Sequence, residues 1–461
     1  MRQCLSPEHP SVLSLPFATL AVLFAGGPAV AVTGDPDPAV TFAKDVAPIL
    51  QQSCQVCHQV GAIGPMSLMT YEEVRPWADL IRIQVESRAM PPYHYDTGVG
   101  IQKLKHDSRL SDDEIRTISS WVAQGAVMGN PADLPPPVEF PKAGVFRLAE
   151  EFGEPDVIVR STPYTVPANG QDLWWQPTVE VEGIPRDRCI RAIETKPSVK
   201  GRAVAHHANS VWMVPAAPGD SGSVNGYVRQ GRLSEYALGK LGEVVPGDAC
   251  RLAPADARVT WDIHYYPAGE EVIDDQVEIG IWLYPENFNP ESLYSQTLAS
   301  YGLQGGDFDI PPHGKLMTQG FHAFDHPVRI DSFQPHGHLR LVGKSLEIFN
   351  PQTGRRELIS QVSNWNPGWH LSHIFEDDVA PLMPAGAVMV LTAWYDNTEN
   401  NRFNPDPDQW VGTGNRTGDE MSHAWIAITH LDQAGYERLL AEREAKNPAP
   451  VPASRFRAAA N

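Results

Sequence analysis

Cys54-Gln55-Val56-Cys57-His58 sets two thiols three residues apart, with an imidazole on the very next residue. On one helical turn, that spacing lets both thiols add to the vinyl groups of a haem while the histidine reaches the iron from the same side, the pattern of covalent c-type attachment. A disulfide or half of a zinc site is the plainer use of a CxxC pair. A sixth ligand to such a haem is commonly a methionine. Met90, in Arg88-Ala89-Met90-Pro91-Pro92-Tyr93, follows a helical stretch in a stiff loop suited to presenting one, and Met66, in Gly64-Pro65-Met66, is its rival. Met69 and Met128 read as core.

A second group of chemistry-bearing residues lies further along. His206-His207 stands in Val204-Ala205-His206-His207-Ala208, His264 in Asp262-Ile263-His264-Tyr265, His336 and His338 in Pro335-His336-Gly337-His338-Leu339, and Met421 in Asp419-Glu420-Met421-Ser422-His423. On a strand, His-x-His puts both imidazoles on one face, within reach of one metal. Adjacent histidines point to opposite faces, so His206 and His207 converge only across a twist or bulge. Taken singly, each is more commonly a hydrogen-bonded histidine than a ligand. His313, His322, His326, His370, His373 and His423 are spread over loops and strand ends and read mostly as solvated or supporting residues, with His423 one alternation from Met421.

These residues need elements to hold them. Residues 36–130 have helical spacing: Val40–Leu50 opens one helix, Tyr71–Arg88 a second, and the capping pattern Ser111-Asp112-Asp113-Glu114 a third through Trp121. A proline-rich stretch at 131–149 reads as a linker. From about Glu150, short apolar runs (Val157–Val159, Val179–Val181, Ile190–Ile193, Val259–Ile263, Val388–Leu391) alternate with Gly, Pro, Asn and Asp, a β-sandwich texture. A seam near Ile310 divides it into 150–310 and 311–435; residues 436–461 are expected to form a short helix and a disordered tail. The fold class expected is mainly β: a small α-helical domain followed by two antiparallel, jelly-roll-like sandwiches.

In order and local context, the histidine and methionine string resembles the copper monooxygenases typified by peptidylglycine α-hydroxylating monooxygenase and dopamine β-monooxygenase, over about residues 150–430. The resemblance implies two coppers per chain. His206, His207 and His264 would hold the electron-storing copper; His336, His338 and Met421 would hold the other, where O2 is activated for hydroxylation of a C–H bond. It also implies two sandwiches facing each other across an open, solvated cleft. Imidazoles with a thioether and no carboxylate favour copper over non-haem iron independently. Residues 36–130 resemble the class I cytochrome c domains fused to other modules in exported bacterial proteins, which implies one covalent haem c held by Cys54, Cys57 and His58, with Met90 as the axial candidate. The haem would then feed electrons to the copper bound by His206, His207 and His264. Ascorbate or a redox protein would be the outer reductant, and the substrate a small molecule or a peptide. Two other readings stay open: a haem- and copper-binding electron carrier without oxygenase activity, and a β-sandwich binding module fused to a cytochrome.

Composition sets the outer limits. The 461 residues carry 36 basic and 56 acidic side chains, a formal charge of −20, with no basic cluster, which argues against nucleic acid or an anionic membrane surface as partner. Arg2, an apolar run from Val12 to Gly27, and Ala29-Val30-Ala31 have the layout of a secretory signal peptide over residues 1–31, so a periplasmic or secreted protein with no stable membrane span is expected. Five cysteines are too few for a disulfide scaffold. Once Cys4 leaves with the signal and haem takes two, Cys189 and Cys250 remain, either as a disulfide suited to an oxidising compartment or as two buried thiols.

Overall fold

A computed structural model of the chain describes residues 39–446, apart from 61, 63, 141–143, 238, 239, 241, 248 and 301–307, with residues 297–300 described in backbone only. The export segment and the tail after residue 446 lie outside the described residues. Among the described residues no helix is long and apolar enough to cross a membrane.

The chain is mainly β, with a helical segment ahead of the strands. That segment builds its helices where the sequence signals lie. A π turn at Phe42–Val46 runs into Ala47–Ser53, and Ser111 and Glu114 form a reciprocal capping box on Asp112–Ala123. The stretch after Tyr71 is one rod in three pieces: Tyr71–Val74, a tight 3-10 turn at Arg75–Trp77, and Ala78–Glu86. Pro76 is the cause, since it removes a backbone donor and crowds the preceding turn. Phe42, Leu50, Val74, Ile118 and Trp121 close the apolar core of the segment.

Two layered β units follow. In the first, strands Val157–Arg160, Val277–Leu283, Arg188–Pro197 and Ala249–Ala253 make one sheet, and Leu173–Trp175, Arg258–Tyr265, Ala205–Pro215 and Tyr227–Ala237 make the other. Ile190, Ile193, Ile279 and Ile281 of the first layer share a core with Trp212, Leu233, Trp261 and Ile263 of the second. Cys189 and Cys250 are joined as a disulfide between neighbouring strands. In the second unit, Lys315–Ala323, Val388–Asp396, Leu341–Asn350 and Arg355–Val362 form a sheet whose Leu346, Ile359, Met389 and Leu391 pack with Ile330, Phe333, Ile426 and Ile428 from Val328–His336 and His423–His430.

The two units are not separated at Ile310 as the sequence suggested. Strand Ser292–Ser300 pairs in parallel with Ala249–Ala253 on one side and antiparallel along its whole length with His423–His430 on the other, so one ten-stranded sheet runs through both. Buried charges reinforce the join. Glu235 meets Arg232 at 3.1 Å and Lys240 at 3.2 Å, and accepts a hydrogen bond from Gln334 of the second unit at 2.7 Å. Burial would raise the Glu235 carboxyl, but Arg232 and Lys240 hold it below the usual carboxylate range. Glu235→Ala leaves Arg232 buried without its ion-pair partner while Lys240 keeps Glu243 at 2.9 Å, and we predict a loss of about 3–5 kcal/mol in a urea unfolding titration.

The helical segment is also not a bead on a linker. Asp96 accepts from the Ser363 backbone and hydroxyl at 3.0 and 2.7 Å, and the Ile101 and Lys105 amides donate to Ile359 and Ile374, each at 2.8 Å. Residues 93–105 thus add a strap to the second β unit, with Ile101 and Leu104 in its core and Tyr93 and Tyr95 in a neighbouring cluster with Trp365. Periodicity could not reveal this, because the strap has neither helical nor strand spacing.

His94, in that strap, is buried beside Trp365 and His373, with ring centroids 5.2 and 5.7 Å away. Burial, helped by the nearby His370, lowers its pKa to about 3; burial and His94 push His373 well below the ordinary histidine value. Both are therefore neutral in the folded chain and free to protonate near pH 6.5 once unfolded. For His94 that stabilisation is complete above about pH 6.5 and is lost progressively as pH falls from there toward about 3, by up to about 1.4 kcal/mol per pH unit, and His373 acts in the same direction. The metal-free chain is predicted to show a lower urea midpoint at pH 5 than at pH 7, and His94→Phe to flatten that dependence; equal midpoints would overturn it.

Candidate metal centre

His207 and His264 are directly opposite each other on paired antiparallel strands, and Trp174 is opposite His264 on its other side. The next pair in the register is Tyr265 with Ala205, so His206 is the extra residue of a β-bulge. That bulge turns adjacent histidines toward one point. The Nδ1 atom of His206 lies 3.2 Å from that of His207 and 3.3 Å from that of His264. Three nitrogens at about 2.0–2.1 Å from one tetrahedral metal would be about 3.3 Å apart.

The protonation pattern fits the same point. Hydrogens cannot fill the space among three converging Nδ1 atoms, whereas three lone pairs aimed at a cation can, with each ring carrying its proton on Nε2. Asp172 Oδ2 is 3.2 Å from His264 Nε2, off the line of a good hydrogen bond but close enough to favour a proton there. Trp174 stacks flat on the His264 ring, centroids 4.5 Å apart and planes within 5°. Burial, then the neighbouring His370 and His264, lowers His206 to about 4; burial and the other two rings push His207 well below its ordinary value. All three are in the neutral form that binds metals.

The second set is arranged differently from the expected strand motif. His336 is the last residue of its strand, opposite His423, and the two rings stack with centroids 4.5 Å apart. His338 lies in the turn that follows, not on the strand, with its ring 5.4 Å from His336 and nearly perpendicular to it. Gly337 lets that turn close over Leu341, whose side chain an added Cβ would meet at 2.6 Å. The His338 amide donates to Glu420 at 2.9 Å, and its Nδ1 is 3.0 Å from the Asp419 carbonyl, which leaves Nε2 as its lone-pair nitrogen. Met421 also precedes its strand; its carbonyl accepts from the Tyr395 hydroxyl at 2.8 Å. Lys344, fully buried, donates to the carbonyls of His336 and His423, each at 2.6 Å, and fixes both strand ends.

A histidine of neither set lies between the two, where the resemblance implied an open, solvated cleft. His370 links them, with its ring 5.8 Å from His206 and 4.9 Å from His336. The ten-stranded sheet carries His336 and His423, while His206, His207 and His264 lie on the other sheet of the first unit. His370 and His373 are buried, which leaves the supporting role of the two that their sequence positions allowed. Sequence reasoning placed His370 only among the solvated or supporting histidines, and it gave no role to Asp172, Trp174, Lys344 or Glu420.

In the helical segment, Cys54 and Cys57 are unpaired thiols, and His58 follows in the same turn. Burial, with Cys57 nearby, raises the Cys54 thiol to about 12, and burial raises Cys57. The His58 Nδ1 is 3.1 Å from the Met66 carbonyl, so Nε2 is the nitrogen free to bind a metal. Met90 ends the turn after Ala78–Glu86, a helix whose Leu80 and Ile83, with Trp77 just before it, form an exposed apolar face. Gly64 packs against His58, and a Cβ there would meet its Nδ1 and the Cys57 carbonyl at 2.7 Å. If Cys54 and Cys57 carry a haem, Gly64→Ala is predicted to lower covalent haem content severalfold, as read by a haem stain on denaturing gels; unchanged staining would refute it.

No protein-family model and no curated protein matches this sequence. Among solved structures, the major capsid protein P2 of bacteriophage PM2 aligns at 7% identity and a TM-score of 0.24, covering 60% of this chain and 99% of its own. The VP2 subviral particle of infectious bursal disease virus aligns at 8% and 0.17, covering 62% and 74%. Likenesses this slight say nothing of what the chain does.

Proposed function

We propose that this chain is an exported copper monooxygenase with a covalently attached haem c, inserting one oxygen atom of O2 into a C–H bond of a small organic substrate and reducing the other to water. The observation that carries the reading is the convergence of the His206, His207 and His264 Nδ1 atoms across a bulged strand pair. Copper at the histidine sets would supply O2 reduction and electron storage, and haem would supply electrons one at a time. The protein's part is to keep the imidazoles neutral, to aim His338 through Nε2 by holding its Nδ1 on Asp419, and to brace the trio with Asp172 and Trp174.

The haem assignment rests on the Cys54 and Cys57 thiols, on a His58 ring whose Nε2 is left free, and on the bare apolar face of Trp77, Leu80 and Ile83, which a porphyrin would cover. His94, four residues after Met90, packs on Trp365, whose indole N–H donates to the His338 carbonyl at 3.1 Å. This connection favours delivery of electrons into the second histidine set, a change from the first set expected on sequence.

The test is the copper and haem content of protein exported to the periplasm, together with O2 uptake in a substrate screen. About two coppers and one haem per chain, with uptake coupled to a hydroxylated product, support the reading. Haem and copper with uncoupled or no uptake would favour an electron carrier, and an absence of tightly bound copper after reconstitution would overturn the copper assignment.

A further inference from the structure

Strands Val328–His336 and His423–His430 meet the second histidine set at one end; at the other end a chain of side-chain hydrogen bonds crosses three neighbouring elements. The Ser295 hydroxyl lies 2.7 Å from His430 Nε2, His430 Nδ1 lies 2.8 Å from His326 Nε2, and His326 Nδ1 lies 2.6 Å from Asp325 Oδ1. The sheet register places these groups. His430 is opposite Leu293 on one neighbour and Val328 on the other, so Ser295 is its diagonal neighbour, and His326 comes two residues before Val328. The turn that carries His326 is pinned, with the Gly386 amide donating to the Phe324 carbonyl at 2.8 Å and the Leu431 amide to the Pro327 carbonyl at 3.0 Å. One proton order satisfies every link. The hydrogen bond to His326 holds the Asp325 carboxyl below its ordinary range, so it is ionised and only accepts. His326 then carries its proton on Nδ1 and accepts through Nε2 from His430 Nδ1–H, which leaves His430 Nε2 to accept from the Ser295 hydroxyl. Burial, with His326 beside it, lowers His430 and keeps that ring neutral.

We propose that Ser295 is an activated nucleophile, with His430 as its base and His326 and Asp325 as positioning residues, acting on small esters with an apolar acyl group. The proposal is independent of copper and haem. Ser295 Oγ bonds to the acyl carbon as its proton passes to His430 Nε2; the bond from that carbon to the alkoxy oxygen breaks, and the alcohol departs with the proton. Water, deprotonated by His430 in its turn, then hydrolyses the acyl-serine, so ester and water become acid and alcohol with no change of oxidation state. Ser295 and His430 are half-buried, and Leu293, on the same side of the sheet as His430 and 59% exposed, offers the acyl group an apolar contact. Tying strand ends together is the plainer use of such a chain. Here the backbone ladders already run on both sides of His423–His430 as far as His430 itself, and a carboxylate whose side chain is 96% exposed adds little to a tie.

The experiment treats the exported chain, as isolated, with a fluorophosphonate and locates the adduct by peptide mass spectrometry, while hydrolysis of p-nitrophenyl butyrate is followed in parallel. Wild type, Ser295→Ala, His430→Gln, Asp325→Asn and Asp325→Glu are compared, with circular dichroism as a check on folding. Expected is an adduct on Ser295 in wild type, its absence in Ser295→Ala, and labelling slowed about 100-fold or more in His430→Gln, the share that a positioned base contributes. Asp325→Asn removes the ionised end of the chain and should slow labelling severalfold, and Asp325→Glu should restore it. Because Asp325 is exposed, a damaged fold does not imitate that pair of results. Ester hydrolysis should fall in step with labelling. A wild-type chain with no adduct on Ser295, or a folded His430→Gln chain labelled at the wild-type rate, would overturn the proposal.

Discussion

On the proposed copper and haem reading, His264→Ala should remove the metal held by the His206 trio and leave the second metal and the haem in place. His264 lies on a central strand, with His207 opposite on one neighbour and Trp174 opposite on the other, so the trio loses a donor without losing a strand. Two imidazoles on one bulge are then left without the third nitrogen that a closed site needs. A milder change calibrates the effect. Asp172→Ala keeps all three nitrogens but removes the carboxylate beside His264 Nε2, and outer partners of this kind are worth about 10–100-fold in metal affinity. His264→Ala should therefore exceed 100-fold, read by titration against a competing Cu(I) chelator. If both variants hold two metals as tightly as wild type, the trio is a hydrogen-bonded cluster and not a site.

That trio was the most legible part of the molecule. His206-His207 and an Asp-Ile-His-Tyr strand are visible in the sequence, and the alternation rule already requires the bulge found at His206. The helical segment was equally open to reading, because Ser111, Glu114 and Pro76 act within a few residues of themselves. The Cys189–Cys250 bridge was one of two options left by counting, and the structure decides it. What could not be read depends on distant partners. His370 looks like a loop histidine until the 365–373 segment is folded over His336, and the 93–105 strap has no periodicity to announce that it docks on strands more than 250 residues later. His-Gly-His suggested two imidazoles on one strand face; the strand stops at His336 because Glu420, eighty residues on, captures the amides that a longer ladder would use. Local rules gave local structure, and the site is assembled by long-range ones.

Glu420 is for that reason the residue whose loss should do most harm to the second set. It is fully buried, and its carboxylate accepts from the amides of His338 at 2.9 Å, Arg340 at 2.5 Å, Leu341 at 3.2 Å and Met421 at 3.1 Å. One side chain thus holds the turn that carries His338 and the residue that carries the thioether, so both expected ligands depend on it for position. Glu420→Ala leaves four amide donors without an acceptor, two of them buried and two half-buried, and opens a cavity where the carboxylate stood. At about 1–3 kcal/mol for each unsatisfied group, partly relieved by water or relaxation, the net loss is predicted at about 3–5 kcal/mol in a urea titration. The conservative Glu420→Gln keeps one acceptor oxygen and brings in two donors facing other donors, so it should fold better than the alanine variant and still bind the second metal more weakly. The His206 trio lies on other strands and should keep its metal in both variants. An alanine variant with wild-type stability and two tightly bound metals would show that the turn holds itself, and that His338 and Met421 need no common anchor.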